Sequence, residues 1–185
     1  MALFLKLAFK KFWAISKKMT IFEHKRILRM LDQQQKNMKK TIWFIVNPIS
    51  GVRRKDDIPG LIHAHLDHEL FDYEILKTTH KGHAIDLALE AVKQHIDVVC
   101  AVGGDGSVHE VGTALIGSQT RLAVLPIGSG NGLARHMLIP RDVRKAIQCI
   151  NELNDIQMDT VLVNDKPFLG VGGYGLDAVI AKKFD

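Results

Sequence analysis

The chain has 185 residues, 46% of them hydrophobic and 24% charged, with a formal net charge of +5. Its length suits one ordinary domain and a fraction more, and its composition is that of a globular protein. Residues 1–40 hold 11 Lys/Arg against two acids and residues 41–185 hold 14 against 18. The globular part is therefore mildly acidic, which argues against nucleic acid as its main partner.

The basic leader begins MALFLKLAFKKFWAISKKM. It has no apolar run long enough to span a bilayer and no small-residue cleavage site after an apolar core. Phe9, Phe12, Trp13 and Ile15 among lysines suit contact with an anionic membrane. The alternative is an extension without a role, the domain itself starting at MKKTIWFIVNP from Met38. Residues 1–38 are thus expected to form an extension that is disordered or membrane-contacting.

From Thr41 onward, short β-rich runs alternate with helix-period segments. Strands are predicted at 41–46, 71–77, 96–102 and 121–125. Helices are predicted at 57–66, 82–94, 107–116 and 142–151. In the second helix Ile85, Leu87, Ala88, Ala91 and Val92 recur at helical spacing. This βαβα order implies an α/β fold with a largely parallel sheet and helices on both faces. The continuous apolar run DVVCAV fits a strand buried on both sides. Cys100 within it reads as a buried thiol, and two cysteines suggest a reducing cytoplasm rather than a disulfide framework. After Asp155 the texture changes: IQMDTVLVNDKPFLGVGG reads as two antiparallel strands about an Asn164-Asp165 turn. The domain boundaries are accordingly set at 39–155 and 156–185.

Three predicted strands end in loops rich in Gly, Asn and Ser: Asn47-Pro48-Ile49-Ser50-Gly51, Gly103-Gly104-Asp105-Gly106-Ser107 and Gly128-Ser129-Gly130-Asn131. In a parallel sheet these C-terminal strand ends share one edge, where ligands bind. Glycines let backbone N–H groups approach a phosphate, and the two later loops each feed a helix whose first amides favour anions. Three such loops on one edge point to a phosphate or nucleotide site. There is no Walker loop and no Rossmann glycine fingerprint, so a different nucleotide geometry is required.

NPISG, TTHKGHA, VGGDGSVHEV and LPIGSGNGLARHMLIP, in this order and spacing, resemble the diacylglycerol kinase catalytic domain family. That family includes bacterial lipid kinases and sphingosine kinases and is distantly related to NAD kinases. The resemblance runs from about Lys39 to the end. It implies binding of ATP with Mg²⁺ along the sheet edge and transfer of the γ-phosphoryl group to the hydroxyl of a membrane lipid, diacylglycerol or a related alcohol. Carried over, Asn47, Pro48, Ile49, Ser50 and Gly51 form one wall of the site. Thr78 contacts phosphate, with Thr79 as the near alternative. Gly104, Asp105, Gly106, Ser107, Val108, His109 and Glu110 wrap the phosphates, and Ser129 closes the pocket from the opposite loop. Asp105 either holds Mg²⁺-ATP or takes the proton of the lipid hydroxyl; the competing reading is a cap of the helix that follows it.

Two departures from the family stand out. Gly132 replaces an aspartate that many bacterial members carry. The family's second, β-sandwich domain exceeds a hundred residues, and FLGVGGYGLDAVIAKKFD resembles only its opening, so truncation is expected. In bacterial members the assigned general base lies in that missing part. The resemblance thus leaves three alternatives open: a sphingoid-base kinase, an NAD kinase relative, or a non-catalytic nucleotide-binding fragment. A cytoplasmic protein, peripheral at the inner membrane face, is expected, and a homodimer is allowed for. Lesser signals are His63, His65 and His68 as a metal cluster, His80 and His83 beside the threonines, and Arg53, Arg54, Lys55 and Arg135 as anion contacts; ordinary solvated side chains compete with each.

Overall fold

In the computed structural model, four parallel strands run in the order β2-β1-β3-β4. They are β1 (Lys40–Val46), β2 (Phe71–Lys77), β3 (Val98–Gly103) and β4 (Arg121–Pro126). The structure describes Arg26 and residues 39–48 and 57–169. The chain divides into two units, Met1–Lys39 and Lys40–Asp185, and all four strands belong to the second. The expectations for residues 1–38, for Ile49, Ser50 and Gly51, for Arg53, Arg54 and Lys55, and for residues 170–185 lie outside the described residues, Arg26 apart.

Helices α1 (Ile58–His65), α2 (His83–Lys93), α3 (Asp105–Leu115), α4 (Gly132–His136) and α5 (Val143–Asn151) connect the strands or follow the last of them. One face of the sheet, with Ile42, Phe44, Cys100 and Val102, packs on Ile58 and Ile62 of α1 and Ala146 and Ile147 of α5. The other face, with Trp43, Ile45, Val99 and Ala101, packs on Ala84, Ala88 and Ala91 of α2 and Val108, Val111 and Leu115 of α3. Every residue of β3 is buried, as its unbroken apolar run requires of a central parallel strand. At the opposite strand ends, Asp97 clamps β1 to β3. Its carboxylate accepts from Thr41 N–H at 2.8 Å and from the Thr41 hydroxyl at 3.0 Å.

Two helix expectations shift. The inner seam of α2 is Ala84, Ala88 and Ala91, small residues that let the helix lie close to the sheet, while Ile85 is 37% exposed. Helix α3 begins at Asp105, two residues earlier than periodicity indicates, because Gly104 in extended conformation occupies the N-cap position. The antiparallel pair is present as β5 (Val161–Val163) and β6 (Lys166–Phe168). Asn164 and Asp165 turn between them with φ of 49° and 61°, the paired left-handed geometry of a tight hairpin turn. Among the described residues no helix is long and apolar enough to cross a membrane.

Burial pushes the Cys100 thiol above its ordinary pKa. A raised thiol pKa leaves stability intact below the unfolded-state value and erodes it above, because the unfolded chain then releases a proton that the folded one keeps. The unfolding free energy should therefore fall as pH rises past about 8.5, by at most about 1.4 kcal/mol per pH unit from this group. Urea titrations at pH 8 and 10, compared with Cys100→Ala, check this. Iodoacetamide should label exposed Cys149 in the native protein and spare buried Cys100.

Candidate functional site

The strand order places a topological switch between β1 and β3, whose following segments pass to opposite faces of the sheet. Such a crevice at the C-terminal strand ends is where open α/β sheets hold ligands. Backbone hydrogen bonds fix its rim. Asn47 N–H donates to Val102 O at 3.2 Å, and Thr78 N–H donates to Val46 O at 2.9 Å. A cavity of about 250 Å³ opens here, lined among others by Asn47, Thr78, Thr79, His80, Lys81, Ser107 and Glu110. Four residues picked from sequence, Asn47, Thr78, Ser107 and Glu110, thus meet in one space. Pro48 is exposed beside them.

The second and third glycine loops touch backbone to backbone. Ile127 and Gly128 both donate their N–H groups to Gly103 O, at 3.0 and 3.2 Å. A Cβ on Gly128 would overlap Gly104 Cα and stand 3.1 Å from Gly104 N. Only the absence of a side chain permits this crossing. Asp105 spans it: its Oδ1 accepts from Gly132 N–H, the first residue of α4, at 2.6 Å. The carboxylate therefore caps not its own helix but the helix of the next loop, 27 residues on in sequence. Its other oxygen lies beside Gly130, where a Cβ would come within 2.6 Å of it. Asp105, Gly106 and Ser129 are exposed, and the first-turn amides of α3 have no partner within the helix.

Other expected residues turn elsewhere. Val108 is buried in the core behind the loop. The His109 ring lies against Phe168, with centroids 5.6 Å apart, and its Nδ1 is 3.1 Å from Leu169 O. His63 Nδ1 is paired with the Tyr73 hydroxyl and His68 Nε2 with His63 O. Among the described residues no three His, Cys, Asp or Glu are grouped to hold a metal. His80 and His83 stack, with centroids 4.7 Å apart, and both Nδ1 atoms lie near the Thr79 hydroxyl. Arg135 is exposed on α4.

The sequence places Asn131 in the third loop but assigns it no role. It is 3% exposed and adopts φ 55°, and its Nδ2 donates to Gly128 O at 2.6 Å. It locks the third loop in its turn. The signal was available: asparagine is the residue most at home, after glycine, in left-handed backbone.

Residues 41–163 match the diacylglycerol kinase catalytic domain. The chain belongs to this family. It is 36% identical over 112 residues to "Probable lipid kinase YegS-like" of Klebsiella pneumoniae (strain 342), covering 58% of this chain and 38% of that protein. It is 30% identical over 141 residues to a diacylglycerol kinase of Staphylococcus saprophyticus, covering 75% of this chain and 46% of that one. The fold superposes on a diacylglycerol kinase from Bacillus anthracis str. Sterne with a TM-score of 0.62 at 24% identity, covering 78% of this chain and 52% of that structure. The chain thus spans between about a third and about half of the length of these relatives. The three glycine loops all fall within the matched segment.

Proposed function

We propose that the chain binds MgATP at this sheet edge and serves phosphoryl transfer to the hydroxyl of diacylglycerol or a related lipid alcohol. One observation carries the reading. Asn47, Thr78, Ser107 and Glu110 converge on one cavity beside two glycine loops in backbone contact. Phosphoryl transfer asks a protein mainly for positioning and charge neutralisation, and amides, hydroxyls and glycine turns supply the first. Asn47 through Gly51 would form one wall, the first-turn amides of α3 and the Ser107 hydroxyl would hold phosphate oxygens, and Ser129 would close the far side.

Asn47, Thr78, Ser107 and the Glu110 carboxylate offer the cavity oxygens, as a hard cation prefers, beside the His80 ring and the Lys81 ammonium. With no dedicated cage among the described residues, Mg²⁺ fits as an ion carried by the nucleotide. When bound it neutralises phosphate charge. Asp105 then either faces the Mg²⁺-nucleotide or accepts the proton of the attacking lipid hydroxyl.

Calorimetric titration with MgATP, MgGTP and NAD, followed by label transfer from ATP to diacylglycerol, sphingosine and NAD, tests the reading. Binding of MgATP with label in diacylglycerol is expected. Label in NAD alone would overturn it; binding without transfer would support a non-catalytic nucleotide-binding role, and label in sphingosine a sphingoid-base kinase. Thr78→Val should weaken MgATP binding about tenfold, the value of one hydrogen bond to a charged partner, without shifting the urea midpoint appreciably.

A further inference from the structure

Helix α3 faces three neighbours. Ser107 and Glu110 line the cavity, Asp105 reaches Gly132, and His109 and Gly112 meet the end of the hairpin. The hairpin otherwise stands clear of the sheet: Val161, Leu162 and Val163 are exposed, Leu162 by 68%. Its attachment is concentrated at Phe168 and Leu169. Leu169 is buried in the core that contains Val108 and Val111, and its side chain lies against Gly112, where a Cβ would overlap Leu169 Cδ2. A carbonyl oxygen only accepts, so the His109 Nδ1 that faces Leu169 O at 3.1 Å carries a proton and donates it. His109 follows Asp105 by four residues, one helical turn along the same face.

We propose that His109 is a positioning residue that seats the Phe168–Leu169 end of the hairpin on α3 and so couples occupancy of the phosphate loop to hairpin docking. A ligand that settles on the first turn of α3 fixes that helix. A fixed helix presents the His109 donor and the Gly112 gap in the register that Leu169 needs. By linkage the effect is reciprocal: a docked hairpin favours the ligand-ready helix. This rests on the nucleotide reading above.

Hydrogen exchange of the full chain, read by mass spectrometry with and without saturating MgATP, tests the coupling. In the wild type, MgATP is expected to slow exchange in peptides covering both residues 103–110 and residues 164–169. His109→Ala should speed exchange at 164–169 about 3- to 10-fold, the value of one net hydrogen bond, and remove its response to MgATP. His109→Asn, whose side-chain N–H falls near the imidazole Nδ1–H, should restore that response. By the same reciprocity, MgATP affinity in His109→Ala should fall by no more than the factor by which MgATP slows exchange at 164–169 in the wild type, and His109→Asn should recover it. Protection at 103–110 without protection at 164–169 would overturn the coupling alone. So would a response that persists in His109→Ala, or a loss of affinity well beyond the wild-type exchange factor, which would mark His109 as a direct nucleotide contact. No MgATP binding by the wild type would overturn the nucleotide reading, and the coupling with it.

Discussion

Gly128→Ala is expected to lower the unfolding free energy by about 3 kcal/mol and to abolish measurable MgATP binding. The new methyl group would have to displace the backbone of Gly104, not the end of a flexible side chain, and overpacking against rigid neighbours costs at the upper end of about 1–3 kcal/mol. Relief by separating the loops would break the two hydrogen bonds from Ile127 and Gly128 to Gly103 O and pull Asp105 from Gly132. The amides of α3 and of the third loop would then no longer share one ligand. Urea unfolding and calorimetry of the same preparation check both halves. A variant that folds as stably as wild type and binds MgATP normally would refute the claim that the crossing sets the site. Gly106→Ala provides the control: it has the same chemistry but open space around its Cβ, so it should leave stability unchanged or raise it by up to about 1 kcal/mol through helix propensity.

Asp105 separates two roles by substitution. Asp105→Asn keeps an oxygen for the Gly132 N–H but removes the charge, whereas Asp105→Ala removes both. If the carboxylate acts in transfer, Asn should lower turnover by about 10²- to 10⁴-fold with stability nearly unchanged. Ala should lose comparable activity and, in addition, roughly 1–2 kcal/mol of stability from the orphaned amide and lost cap. The binding constants then divide the remaining possibilities. A base leaves MgATP affinity unchanged in Asn, while a carboxylate facing the Mg²⁺-nucleotide loses affinity for MgATP more than for metal-free ATP. Wild-type turnover by Asp105→Asn would reduce the residue to a strut between loops.

The central strands β1 and β3 were legible because buried parallel strands write themselves as unbroken apolar runs, DVVCAV above all, whereas the edge strand β2, FDYEILK, alternates and buries only Phe71. The hairpin turn was legible because Asn164-Asp165 tolerates the positive φ that the turn needs. The loops were legible as a set, since parallel order alone puts their starts on one edge. What sequence did not carry was the partner of each side chain. By position Asp105 reads as a cap for the helix it begins, yet it caps one 27 residues later. His109, grouped with the phosphate-wrapping residues by its position in the motif, reaches a carbonyl 60 residues away. Local pattern fixes which face of a helix a residue occupies; only the packed chain decides what that face meets.

The strand order has a consequence for how the protein is made. β1 is an interior strand whose second neighbour, β3, is more than 50 residues downstream, and the Thr41–Asp97 clamp closes a loop of 56 residues. During synthesis β1 can pair with β2 as soon as that strand emerges, but its other edge stays bare until Val98–Val102 leaves the ribosome. That edge runs through Ile42, Phe44 and Ile45, apolar on both faces, and it is open to wrong partners for the whole interval. Closure of such distant contacts is slow relative to local helix formation. The nascent chain therefore passes through a stage in which its future central strand is the surface most in need of a chaperone.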